Sequence, residues 1–197
     1  MDEVDKLIKR FRASPGDRPW MTDELYLAFP DRRAVAAVIE YAGDPAEDGN
    51  GRCQAFKYFH YVPPPGKAEQ RRLRAVALRV AASDPDDMAR VYAVLALTPF
   101  ADRADVEAAL APLMTNTEED SDVRSAAFQT LSRRGHERRE ELFRALLSDP
   151  QLGREVETHF ALIAQGQRGP AEPGAAPKNR GGTKRRQGSR SPRRRDR

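Results

Sequence analysis

Three histidines and one cysteine are the chemically reactive side chains with the fewest copies in this 197-residue chain, and their spacing limits what it can do. His60, His136 and His159 lie far apart, and neither they nor Cys53 has another His or Cys at metal-ligand spacing. A tetrahedral zinc site has no ligand set here. No G-x-S-x-G elbow occurs, and no glycine-rich phosphate loop follows a strand. The chain is expected to be non-enzymatic, with no metal and no cofactor. The single Cys53 gives no disulfide framework and suits a reducing compartment. No run of 18 apolar residues and no signal-like N-terminus stands in the sequence, so a cytoplasmic protein without membrane spans is expected.

Charge is the more informative chemistry. The formal net charge is +4, but residues 166–197 alone carry +9, which leaves −5 on residues 1–165. That tail has no Leu, Ile, Val or aromatic residue and is expected to be disordered, because it cannot bury enough apolar surface to offset its ordering entropy. Its clusters Lys184, Arg185, Arg186 and Arg193, Arg194, Arg195 suit non-specific electrostatic contact with phosphates. A second basic stretch lies inside the body. From Arg52 to Val80 the chain carries +6, with Lys57, Arg71, Arg72, Arg74 and Arg79 near Tyr58 and Tyr61. Basic side chains interleaved with exposed tyrosines could grip a phosphate backbone or an acidic protein surface. The plainer reading is a solvated helix face, with the tyrosines packed on the Pro63–Pro65 run.

The elements that must position these residues read as helices throughout. Apolar residues keep a helical period between Asp, Pro and Gly breaks, with little two-residue alternation. Val4, Leu7, Ile8 and Phe11 mark a first helix, and Thr22 is expected to cap a short second one, with Trp20 as a packing plug before it. Residues 1–30 form an N-terminal helical cap in this reading. Asp31 caps a third helix, striped by Val35, Val38, Ile39 and Ala42.

Three later segments can be laid over one another: "DGNGRCQAFKYF", "DDMARVYAVLAL" and "DSDVRSAAFQTL". Asp48, Asp86 and Asp120 lead, Arg52, Arg90 and Arg124 follow four residues on, then Ala55, Ala93 and Ala127. Phe56, Val94 and Phe128 come next, and Phe59, Leu97 and Leu131 close a D-x3-R-x2-A-[FV]-x2-[FL] pattern. An amphipathic helix precedes each copy, so the unit is a helical hairpin, A then B. Arg124 falls on the buried stripe of its helix with Ala127, Phe128 and Leu131, and a guanidinium there needs a partner.

This pattern resembles the short bacterial type of HEAT repeat over roughly residues 31–165. The resemblance implies an all-α fold, a right-handed α-solenoid. It also implies a structural ladder in which the leading Asp of a B helix pairs with the Arg of its own or the next repeat, so that Arg124 would meet Asp120 or Asp86. Function follows only coarsely: a scaffold or adaptor for a protein partner, with nucleic acid as the alternative through the Lys57 to Arg79 patch and the tail. HEAT-like DNA glycosylases and phycobilin lyases share such scaffolds, but no catalytic constellation marks either. The Ala- and Arg-rich composition suggests a GC-rich bacterial genome, and the oligomeric state stays open.

Overall fold

The computed structural model describes residues 2–29, 31–133 and 136–166, which contain helices, turns and no strand. The tail positions Lys184, Arg185, Arg186, Arg193, Arg194 and Arg195 lie outside the described residues. Among the described residues ten α-helices follow one another: α1 (Glu3–Ala13), α2 (Arg18–Leu27), α3 (Arg32–Ala42), α4 (Gly49–Tyr61), α5 (Lys67–Ser83), α6 (Asp87–Ala96), α7 (Ala104–Thr115), α8 (Ser121–Ser132), α9 (Glu140–Ala145) and α10 (Gly153–Ala164).

Consecutive helices pair as hairpins, and the hairpins stack in two layers. The A layer runs α1, α3, α5, α7; the B layer runs α2, α4, α6, α8. The N-terminal pair thus continues the stack, with α1 against α3 and α2 against α4. The core lies between the layers. Ala55, Phe56 and Phe59 of α4, Ala93, Val94 and Leu97 at α6, and Ala127, Phe128 and Leu131 of α8 are all buried there. The alanines keep adjacent B helices close, and the larger residues fill the space between hairpins.

The recurrent aspartates are helix caps. Asp48 accepts from the Gly51 amide at 2.7 Å, Asp86 from Ala89 at 3.0 Å, and Asp120 from Asp122 and Val123 at 2.9 and 3.1 Å. Each satisfies N–H groups that the first helical turn leaves unpaired, a contribution of about 1 kcal/mol. Asp31 does the same for α3.

Two expectations at the N-terminus need correction. The second helix begins at Arg18, behind a 3₁₀ turn over Pro15–Asp17, and Thr22 is buried inside it, its hydroxyl donating to the Arg18 carbonyl at 2.9 Å. Pro19 in the first turn lacks the N–H that a helix start leaves unpaired and thereby favours this earlier start. That register gives the buried face to Met21, Thr22 and Leu25, and Trp20 points away at 79% exposure instead of plugging the core.

Candidate functional site

The opening chemistry of the repeats resolves into a row of guanidinium clamps. Arg52 donates through Nε to the Ala42 carbonyl at 3.2 Å, and its other two nitrogens hold both oxygens of Asp84. Arg90 repeats this with the Ala81 carbonyl at 3.1 Å and both oxygens of Glu119 at 2.8 and 2.5 Å. Arg124 takes the Met114 carbonyl at 3.1 Å, with Asp149 and Gln151. Each arginine therefore ties the end of its own A helix to an acidic residue just ahead of the next B helix.

The ladder exists, but its carboxylates are not the ones expected. Asp48, Asp86 and Asp120 face their own helix amides as caps, and Arg124 meets neither Asp120 nor Asp86. A carboxylate at the N-cap is held by backbone donors of its own first turn. The residues that meet the arginines lie just ahead of the next B helix: Asp84 and Glu119 before the caps Asp86 and Asp120, and Asp149 before α10. A fourth rung lies outside the repeat pattern, where Arg18 donates to the Phe11 carbonyl at 2.9 Å and the Arg12 carbonyl at 2.7 Å and pairs with Glu47. The signal for it was an acidic residue directly before Asp48, matched by Glu119 before Asp120.

Arg52 and Arg124 are each 1% exposed, so their charge is compensated entirely inside the protein. Burial works against ionisation of Asp84 and Asp149, but hydrogen bonds from Arg52 and Arg124, and from nearby amides, hold both carboxyls below the usual range. The Arg90 hydrogen bond does the same to Glu119. Arg139, which the repeat pattern does not include, is also buried and holds the Leu131 carbonyl at 2.8 Å and Glu107 at 3.0 Å.

The seven expected binding residues fall in two places. Lys57, Tyr58 and Tyr61 belong to α4 in the B layer, and Arg71, Arg72, Arg74 and Arg79 to α5 in the A layer. Arg74 pairs with Asp105 of α7 at 2.9 Å, and Arg79 donates to the Gly43 carbonyl at the end of α3 at 2.8 Å, so these two reach to opposite sides of α5. Arg71 and Arg72 are exposed. Tyr58 is packed: its ring stacks on Tyr26 at 4.2 Å, and its hydroxyl donates to Asp23. Burial, more than the neighbouring Asp23, raises its pKa. Tyr61 is exposed at the end of α4, edge-on to His60.

A different surface emerges on the outer side of the B layer. Met88, Val91, Tyr92 and Leu95 stand at i, i+3, i+4 and i+7 of α6, opposite its buried Ala89, Ala93, Val94 and Ala96. Met88 is 49% exposed, and the other three are half-buried. His60 lies with Nδ1 2.8 Å from the Leu95 carbonyl, which brings the end of α4, with exposed Tyr61 and Val62, beside this row. Apolar and aromatic side chains of α4 and α6 thus lie near one another at this end of the B layer. Among the described residues no group of three or more His, Cys, Asp or Glu is placed to hold a metal ion, and no helix is long and apolar enough to cross a membrane.

Residues 75–158, from within α5 to within α10, match the model of the family described as HEAT repeats. Together with the hairpin stack and its repeated B-helix pattern, this match identifies HEAT repeats over that stretch of the chain. No curated protein and no solved structure matches it.

Proposed function

We propose that the chain is a non-enzymatic binding module, a cytoplasmic scaffold or adaptor that recognises a protein partner on the outer face of its B helices. The observation that carries this reading is the row of exposed Met88 and half-buried Val91, Tyr92 and Leu95 on α6, beside exposed Tyr61 and Val62. Contiguous exposed apolar surface marks interaction sites, and Met and Tyr are enriched at interface centres. The repeat arginines are not part of that surface, because they are consumed by the ladder. The test is a Met88→Asp, Tyr92→Asp double variant of the full chain, expressed in its native cells. Its thermal unfolding stays close to that of the parent, and the proteins that co-purify with the parent are lost. Co-purification of the same proteins at the same yield would refute the reading.

A second reading, nucleic-acid binding, is favoured by exposed Arg71 and Arg72 on α5 together with the +9 tail. Against it stands the splitting of the patch between layers and the engagement of Arg74 and Arg79. A titration of random-sequence DNA and RNA at several salt concentrations separates the cases. Binding lost on truncation after residue 166 alone makes the tail a non-specific arm. Binding that also falls with Arg71→Ala and Arg72→Ala extends the phosphate track onto α5.

A further inference from the structure

The B layer loses its regularity at its last step. α2, α4, α6 and α8 pack closely in succession, but the backbones of α8 and α10 stand apart. They are joined along one edge, where Ser125 donates to Glu155 at 2.9 Å, and at a floor, where the rings of Phe128 and His159 lie 5.7 Å apart. Between them opens a cleft of 520 Å³, within the size range of ligand sites. Phe128, His159 and Leu162 supply its apolar and aromatic lining, and Arg133 and Arg154 are also part of its wall.

Those two arginines differ from the arginines of the ladder. Arg18, Arg52, Arg90 and Arg124 are all clamped to carboxylates. Arg133 and Arg154 make no ion pair or hydrogen bond among the described residues, and the one carboxylate in the cleft wall, Glu155, is engaged by Ser125. Two guanidiniums without an ion pair, in one cleft wall with aromatic side chains, are complementary to carboxylates flanking a large apolar side chain, since a guanidinium can bind a carboxylate through two parallel hydrogen bonds.

We propose that the α8–α10 cleft is a recognition site for an acidic peptide segment of a partner protein, seating one large apolar side chain on Phe128, His159 and Leu162 between carboxylates held by Arg133 and Arg154. This site rests on the reading of the chain as a protein-binding module and adds a second, charge-selective contact to the α4–α6 surface.

The probe is a random-sequence dodecapeptide display library selected on the full chain, followed by anisotropy titration of the enriched peptides as labelled synthetic peptides. The enriched sequences carry a Leu, Ile, Met, Phe or Trp flanked by Asp or Glu. Their affinity drops at least tenfold in an Arg133→Glu, Arg154→Glu double variant and stays within twofold in an Arg71→Glu, Arg72→Glu control, with circular dichroism confirming that both variants are folded. Enriched peptides lacking acidic residues, unchanged affinity in the first variant, or no enrichment would each overturn the site. Peptides lost instead in the Met88→Asp, Tyr92→Asp variant would overturn the cleft while leaving the module reading in place.

Discussion

Arg124 and Asp149, 25 residues apart in sequence, form a buried ion pair that joins the fourth hairpin of the stack to the fifth. With Nε on the Met114 carbonyl, the same guanidinium fixes the end of α7. One side chain thus bonds three segments: its own helix, the A helix before it and the loop after the next. Removing it leaves a buried carboxylate and an orphaned carbonyl together. Arg124→Ala is predicted to lower stability by about 3 to 5 kcal/mol in urea denaturation, with Arg124→Lys recovering little because an ammonium cannot fork across both sites. A loss within measurement error would mean that the rung carries no load.

The rungs also set the acid limit. Asp84, Glu119 and Asp149 have folded-state pKa values below their ordinary 3.8, 4.5 and 3.8, so the stability they contribute is complete above that range. It is lost as pH falls through the lower folded values, where the unfolded chain takes up protons first. Denaturation midpoints followed from pH 6 down to pH 2 are predicted to fall steeply below about pH 4.5. An Asp149→Asn variant starts less stable and shows a shallower fall. An equal slope in that variant would contradict the assignment.

Gly51 lies where a Cβ would run into the Tyr41 hydroxyl, and Pro19 stands close on the other side. That hydroxyl is buried without a hydrogen-bond partner, and burial pushes its pKa up to about 12. Gly51→Ala is predicted to cost about 1 to 3 kcal/mol through overpacking, and most of the loss disappears in a Tyr41→Phe background. Tyr41→Phe alone stabilises by about 1 kcal/mol, because it removes an unpaired polar atom. Additive effects in the double variant, measured by thermal unfolding, would show that the two sites do not touch.

Cys53 is buried in α4, and desolvation, aided by nearby Asp86, pushes its thiol up to about 11. At neutral pH almost no thiolate forms there. Alkylation by iodoacetamide is predicted to be at least a hundredfold slower than for a free thiol and to reach the free rate only in denaturant. Rapid labelling of the native chain would contradict the burial.

How much of this was legible in the sequence differs by residue. The D-x3-R-x2-A pattern exposed α4, α6 and α8 and the burial of their arginines, because helical spacing and the need to compensate charge are both local facts. It could not assign partners. Asp48, Asp86 and Asp120 each had two possible roles, cap or counter-ion, and only the path of the intervening loop shows that Asp84, Glu119 and Asp149 reach the guanidiniums. Arg18 escaped notice because it sits at the first turn of its helix, out of register with Arg52. Trp20 was misread because one turn of earlier helix start, set by Pro19, rotates it to solvent. For the Lys57 to Arg79 patch, the A-then-B order already divided α4 from α5, but the engagement of Arg74 by Asp105 and of Arg79 by the Gly43 carbonyl depends on tertiary contacts that a sequence does not display.

The most direct measurement of the central claim, recognition of a protein by the B face, is photo-cross-linking in native cells with benzoylphenylalanine placed singly in the full chain. One variant carries it at Met88 on α6, the other at Ala75, exposed on α5 in the A layer. The account predicts a discrete protein adduct from position 88 and none from position 75. Adducts to nucleic acid, equal protein adducts from both positions, or an adduct from position 75 alone would contradict it.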